Sequence, residues 1–103
     1  MTLPELVETL ANLTEEHVSA AVELDTARVS RLSRLRSDLL FELNIAIQTK
    51  APLTDVQRRE ARRQTERLAR AEQRLAQIIG HVLTVLTPVV PTVYGRTGRL
   101  GWR

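Results

Sequence analysis

The chain has 103 residues, a net charge of +3, no cysteine, and one each of Phe, Tyr and Trp. That length suits one domain, and without thiols there is neither a disulfide framework nor a thiolate metal site. Few aromatics and glycines among many good helix formers favour helices over a β-sandwich or an α/β sheet.

Thr2 and Glu5 have the spacing of a capping box, with Pro4 tolerated in the first turn. The N-terminal segment lacks the basic and apolar regions of a secretory signal, and no apolar run approaches the roughly 20 residues needed to span a bilayer. A soluble cytoplasmic protein without membrane insertion is the expectation. Between Pro4 and Pro52 there is no Gly or Pro. A polar stripe of Glu8, Asn12, Glu15, Ser19, Glu23, Thr26, Ser30, Ser33 and Ser37 recurs every three or four residues. The stripe predicts one continuous helix over 3–49, roughly 70 Å long.

Opposite it lies a heptad seam: Leu3, Leu6, Leu10, Leu13, His17, Ala20, Leu24 and Ala27. The seam then shifts phase to Leu32, Leu35, Leu39 and Leu43, while Val18, Val22 and Val29 widen the apolar surface. Residues 39–47 are apolar nearly all round, which predicts cover on more than one side.

Lys50 to Thr54 is a turn, since Pro52 drives Ala51 out of the helical region. Thr54 and Gln57 form a second capping box, so a second helix starts near residue 55. Its apolar positions run Ala61, Leu68, Ala71, Leu75, Ile78, Val82 and Val85. Gly80 costs this helix about 1 kcal/mol relative to alanine, and Pro88 and Pro91 end it. The fold expected is all-α: two long antiparallel helices over residues 1–87, with dimerisation as one way to complete the bundle, and an irregular C-terminal tail over 88–103. Two helices rarely enclose a core, so self-association, a partner, or a break folding the first helix back on itself must supply the rest.

Charge is unevenly placed. Residues 1–27 hold six acids and no Lys or Arg, whereas residues 28–74 hold twelve basic residues against six acids. A turn near residue 51 would set Arg28, Arg31, Arg34 and Arg36 level with Arg67, Arg70 and Arg74 as a basic waist. It would also lay the acidic half beside the apolar end of the second helix. Seven arginines fall between Arg58 and Arg74. Asp55–Arg59, Arg62–Glu66 and Glu66–Arg70 have the spacing of paired charges on a solvated face. Nucleic-acid binding would use the remaining arginines on phosphates, but neither stacking aromatics nor a reading motif accompanies them.

Chemistry-bearing sets are absent from the sequence. His17 and His81 have no cysteine or i,i+4 histidine beside them, so no metal and no cofactor is expected. The serines lie on the polar stripe and assemble no Ser/His/Asp set, so no catalytic residue is assigned. Gly95, Gly98 and Gly101 lack the strand before and helix after that a phosphate loop needs. Helix termination explains the Pro88–Pro91 pair more simply than a polyproline ligand does.

Residues 75–90 contain no charge and are apolar on nearly every face. One neighbouring helix covers one face, so the rest should bind something. Leu75, Ile78, Ile79, Val82, Leu83 and Leu86 have the spacing of helix-in-groove anchors. A core role or a homodimer seam would use the same residues. Tyr94 and Trp102 stand out as tail aromatics, suited to docking or to a second interface.

Glu15 to Leu40 (EEHVSAAVELDTARVSRLSRLRSDLL) and Thr92 to Arg99 (TVYGRTGR) together resemble the FlgN-like flagellar export chaperones. The first is a general coiled-coil pattern. The second, a polar Tyr-Gly-x-x-Gly-Arg tail after long helices, is more specific. The chain is shorter than typical members and its second helix is richer in arginine. The resemblance implies a non-enzymatic chaperone that holds hook-associated proteins of the FlgK and FlgL type by a C-terminal helical segment. It further implies delivery to a type III export gate, with Tyr94 as a contact for the FlhA-type gate protein. The alternative from the residues alone is a dimeric helical scaffold or nucleic-acid binder using the Arg-rich second helix.

Overall fold

The computed structural model describes residues 1–86 and, within them, side chains through Val82. It contains three helices: α1 (Leu3–Val22), α2 (Thr26–Thr49) and α3 (Asp55–Leu86). Among the described residues the fold is all-helical. The expected tail over 88–103, with Tyr94 and Trp102, lies outside them.

Both predicted capping boxes form. The Thr2 N–H donates to Glu5 Oε1 at 2.7 Å and the Glu5 N–H to Thr2 Oγ1 at 3.3 Å. The Glu5 carboxyl is held below its usual range, chiefly by that Thr2 N–H and then by the Thr2 side chain. At α3, Thr54 N–H donates to Gln57 Oε1 at 2.9 Å and Gln57 N–H to Thr54 Oγ1 at 3.1 Å. Each box satisfies two donors that a helix start leaves unpaired.

The expected continuous helix over 3–49 is not formed, and the two-helix hairpin becomes a three-helix arrangement. The break lies at Glu23–Asp25. Leu24 takes φ 58°, in the left-handed region. Its N–H donates to Ala21 O at 3.1 Å and the Asp25 N–H to Ala20 O at 2.9 Å. These two bonds are a Schellman closure, a motif that usually places glycine where Leu24 stands. Asp25 then serves the next helix, its carboxylate accepting the Arg28 N–H at 3.2 Å. One three-residue segment both stops α1 and starts α2.

Folding back puts α1 in the middle. It runs antiparallel to α2 and parallel to α3. No Cα of α2 comes within 8 Å of one in α3, so each packs on α1 instead. The core reflects this. Leu6, Val7, Leu10, Ala11, Val18 and Ala20 of α1 are buried, with Leu32 from α2 and Ala71 and Leu75 from α3. A helix flanked on both sides needs two apolar faces, which is why the valines widen the seam of α1. Burial of a side chain such as Leu10 or Leu32 contributes about 1.5–3 kcal/mol.

The charge layout also differs from the expected waist. Arg36 pairs with Glu72, Arg28 with Glu23 at 3.0 Å, and Arg67 with Glu15 at 2.8 Å. The acidic first helix lies along the arginine-rich stretch of α3, where opposite charges meet, and not along an exclusively apolar end. On α3 itself the pairs formed are Arg58–Asp55 at 3.1 Å and Arg63–Glu60 at 2.7 Å, both three residues apart. They replace the expected pairs four apart. Residues 39–47 are covered on one side only: Leu40, Phe41, Ile45 and Ile47 remain exposed.

A candidate helix-docking groove

Because the backbones of α2 and α3 stand apart, a groove opens between them at the end of the molecule where α1 turns into α2. Leu24 and Val29 form one wall and Ile78, Ile79 and Val82 the other, over Ala21. Its volume is about 430 Å³. Thr26, Ser30 and Ser33 line its α2 rim, and no charged side chain lines it. Leu24 is 73% exposed, Ile79 47% and Val82 37%, so the groove offers apolar surface to solvent.

The sequence-predicted anchors divide. Ile78, Ile79 and Val82 come together here. Leu75 is 4% exposed and packs in the core, so it is not available as an anchor. Its place in the heptad points it into the core beside α1. Leu83 and Leu86 belong to α3 by their backbone, and their side chains, like Tyr94, lie outside the described residues. Leu24 and Val29 were visible in the sequence as seam residues but not as site residues, since only the break swings them across to α3.

Further along the gap, a polar bridge spans it. Arg36 Nη2 bonds Glu72 Oε2, and Arg36 Nε donates to Thr14 Oγ1 at 3.0 Å. The Thr14 hydroxyl donates to Leu10 O at 2.9 Å. Thr14 and His17 are buried beside it, and His17 Nδ1 has no hydrogen-bond partner. Burial first, then the Arg36 charge, lowers the His17 pKa, while Glu72 opposes the shift. An imidazole that stays neutral here is a packing group.

No family model, curated protein or solved structure matches this chain.

A second, larger cleft of about 730 Å³ lies between α1 and α3. Val18, Val22 and Ala71 line it together with Glu15, Glu23, Arg67, Arg70 and Arg74. Carboxylates and guanidiniums are mixed in it, and Arg67 is already committed to Glu15. The hydrogen bond from Arg67 holds the Glu15 carboxyl low, and the same bond raises Arg67. The cleft's three guanidiniums exceed its two carboxylates by one charge, spread over a mixed, partly paired surface. Among the described residues no group of His, Cys, Asp or Glu is placed to hold a metal ion. No described helix is long and apolar enough to cross a membrane.

Proposed function

We propose that this protein is an export chaperone of the FlgN kind, and that the α2/α3 groove is its client site. The observation carrying this reading is the uncharged groove itself. Its two walls belong to helices whose backbones stand apart, and it exposes Leu24, Ile79 and Val82. An amphipathic helix laid there would find anchors at helical spacing, the helix-in-groove mode. The client is the C-terminal helical segment of a hook-associated protein of the FlgK or FlgL type. Few anchors suit a cargo that must be released, because association costs offset much of the burial gain. On the same reading Tyr94, in TVYGRTGR just beyond α3, contacts the FlhA-type export gate in the cytoplasm.

The arginine pattern supports this over nucleic-acid binding. Arg28, Arg36, Arg58, Arg63 and Arg67 are paired with carboxylates, which leaves fewer cations for phosphates.

The test is fluorescence anisotropy with a labelled C-terminal helical peptide of a FlgK- or FlgL-type protein. Ile79→Asp and Val82→Asp alter exposed side chains, so circular dichroism should stay unchanged. Each should weaken binding by about 10–100-fold, the loss of one aliphatic anchor. Binding at full strength in both variants refutes the groove as client site. No binding by the parent protein refutes the chaperone reading.

A further inference from the structure

We infer that residues 88–93 of this same chain are the resident occupant of the α2/α3 groove. The seat needs no client; its regulatory consequence rests on the client reading. Val82, on the α3 wall of the groove, stands about one turn before α3 ends at Leu86. The chain therefore leaves α3 beside the groove, and of its 103 residues 17 follow Leu86. Residues 88–93 read Pro-Val-Val-Pro-Thr-Val, and no charge occurs from Thr87 to Gly95. An uncharged, largely apolar segment thus follows directly on a groove that no charged side chain lines.

Reach is ample. From Leu86 back to Ile78 is ~12 Å along α3, and six extended residues span ~20 Å. Pro88 and Pro91 fix their own φ and bias Thr87 and Val90 towards extended backbone. An extended segment cannot pair its own N–H and C=O groups as a helix does. The groove supplies partners for them. The hydroxyls of Thr26, Ser30 and Ser33 line its α2 rim and hold no hydrogen bond among the described residues. The two prolines bring no N–H to bury, which lightens the demand further.

Attachment makes a modest fit sufficient. A segment tethered by one or two residues has an effective concentration on the order of 1 mM. Other surfaces suit it less. Arg67, Arg70 and Arg74 line the α1/α3 cleft, and Arg96, Arg99 and Arg103 give the rest of the tail the same sign. The exposed Phe41 lies ~12 Å beyond Ser33 along α2, on the side away from the end of α3. With 88–93 seated, the groove admits a client only in the fraction of molecules where that segment has left it.

The absence of cysteine makes a spin label easy to place. A nitroxide on Ser30→Cys, at the groove rim, should broaden the amide signals of Val89, Val90 and Val93 in the full chain. A nitroxide on Phe41→Cys should leave them sharp. Ile79→Asp should remove the broadening while circular dichroism stays unchanged. Val89→Ser, Val90→Ser and Val93→Ser together should free the groove. A hook-associated helical peptide should then bind about tenfold tighter, the gain expected if the groove is closed about nine-tenths of the time. No broadening from Ser30→Cys, or broadening that survives Ile79→Asp, overturns the inference. So does broadening from Phe41→Cys alone, or broadening that passes from a labelled molecule to an unlabelled one, which would hand the groove to a second copy. Failure of the peptide to bind any variant, with the broadening intact, sinks the client reading and upholds this one.

Discussion

Arg67 grips Glu15 with a fork: Nε donates to Oε2 and Nη2 to Oε1, both at 2.8 Å, and Nη2 also reaches Asn12 Oδ1. Residues 52 apart in sequence are thereby joined across α1 and α3. Gln64, buried on α3, accepts the Nη1–H at 2.9 Å and donates to Glu60 at 2.8 Å. Only a planar guanidinium fills this role, because an ammonium cannot span two carboxylate oxygens in parallel. Arg67→Lys should therefore cost about 0.5–1 kcal/mol, the upper range for a half-exposed pair. The loss should appear as a lower urea midpoint and shrink in high salt. An unchanged midpoint would mean the fork adds nothing to stability.

Leu32 is the one fully buried residue that α2 contributes. Leu32→Ala should cost about 2–5 kcal/mol. Because α2 packs on α1 and reaches α3 through the Arg36–Glu72 bridge, the damage should be largely local. Hydrogen exchange should show α2 amides losing protection while those at the α1/α3 contact largely keep theirs. Uniform loss across all three helices would show that α2 cannot detach separately.

His17 sets a pH dependence. Its folded-state pKa is lowered, so the folded protein resists the proton. Above about pH 6.5 the imidazole is neutral folded or unfolded and imposes no penalty. Below that value the unfolded chain takes up a proton that the folded chain refuses, and stability falls until the folded pKa is reached. Urea midpoints should drop between pH 7.5 and 5.5, and His17→Gln should flatten the drop. The Glu15 carboxyl, held low by Arg67, contributes stability above its unfolded pKa. That stability is lost as pH falls through the lower folded value, in a separate and more acid window.

Two helix positions should respond to glycine in opposite senses. Lys50 caps α2 in the left-handed region at φ 55°, where glycine is unstrained. Gly80 lies in α3, and an added Cβ there would meet nothing within 4 Å. Lys50→Gly and Gly80→Ala should each stabilise by about 0.5–1 kcal/mol. Thermal melts should move up by a few degrees for each. A fall in melting temperature for either would contradict the backbone account.

The helix starts were legible because a capping box is local: Thr2 with Glu5, and Thr54 with Gln57, need only four residues. The break at Leu24 was not, because no Gly or Pro marks it and the polar stripe keeps its rhythm through Glu23 and Thr26. One signal was present. The apolar seam jumps between Ala27 and Leu32, as expected where a helix ends and its successor faces elsewhere. At the groove, the uncharged run singled out Ile78, Ile79 and Val82. Leu75 shares that composition, and only the position of α1 separates core from surface. Leu24 and Val29 join the groove through tertiary geometry that periodicity does not encode.

The central position of α1 has a consequence for synthesis. α1 leaves the ribosome before α2 and pairs with it early, yet one of its apolar sides must wait for α3. Until Ala71 emerges, Val18 lacks the α3 wall it faces in the finished fold. A nascent chain of this design should stay protease-sensitive until α3 has emerged and then become resistant in a single step.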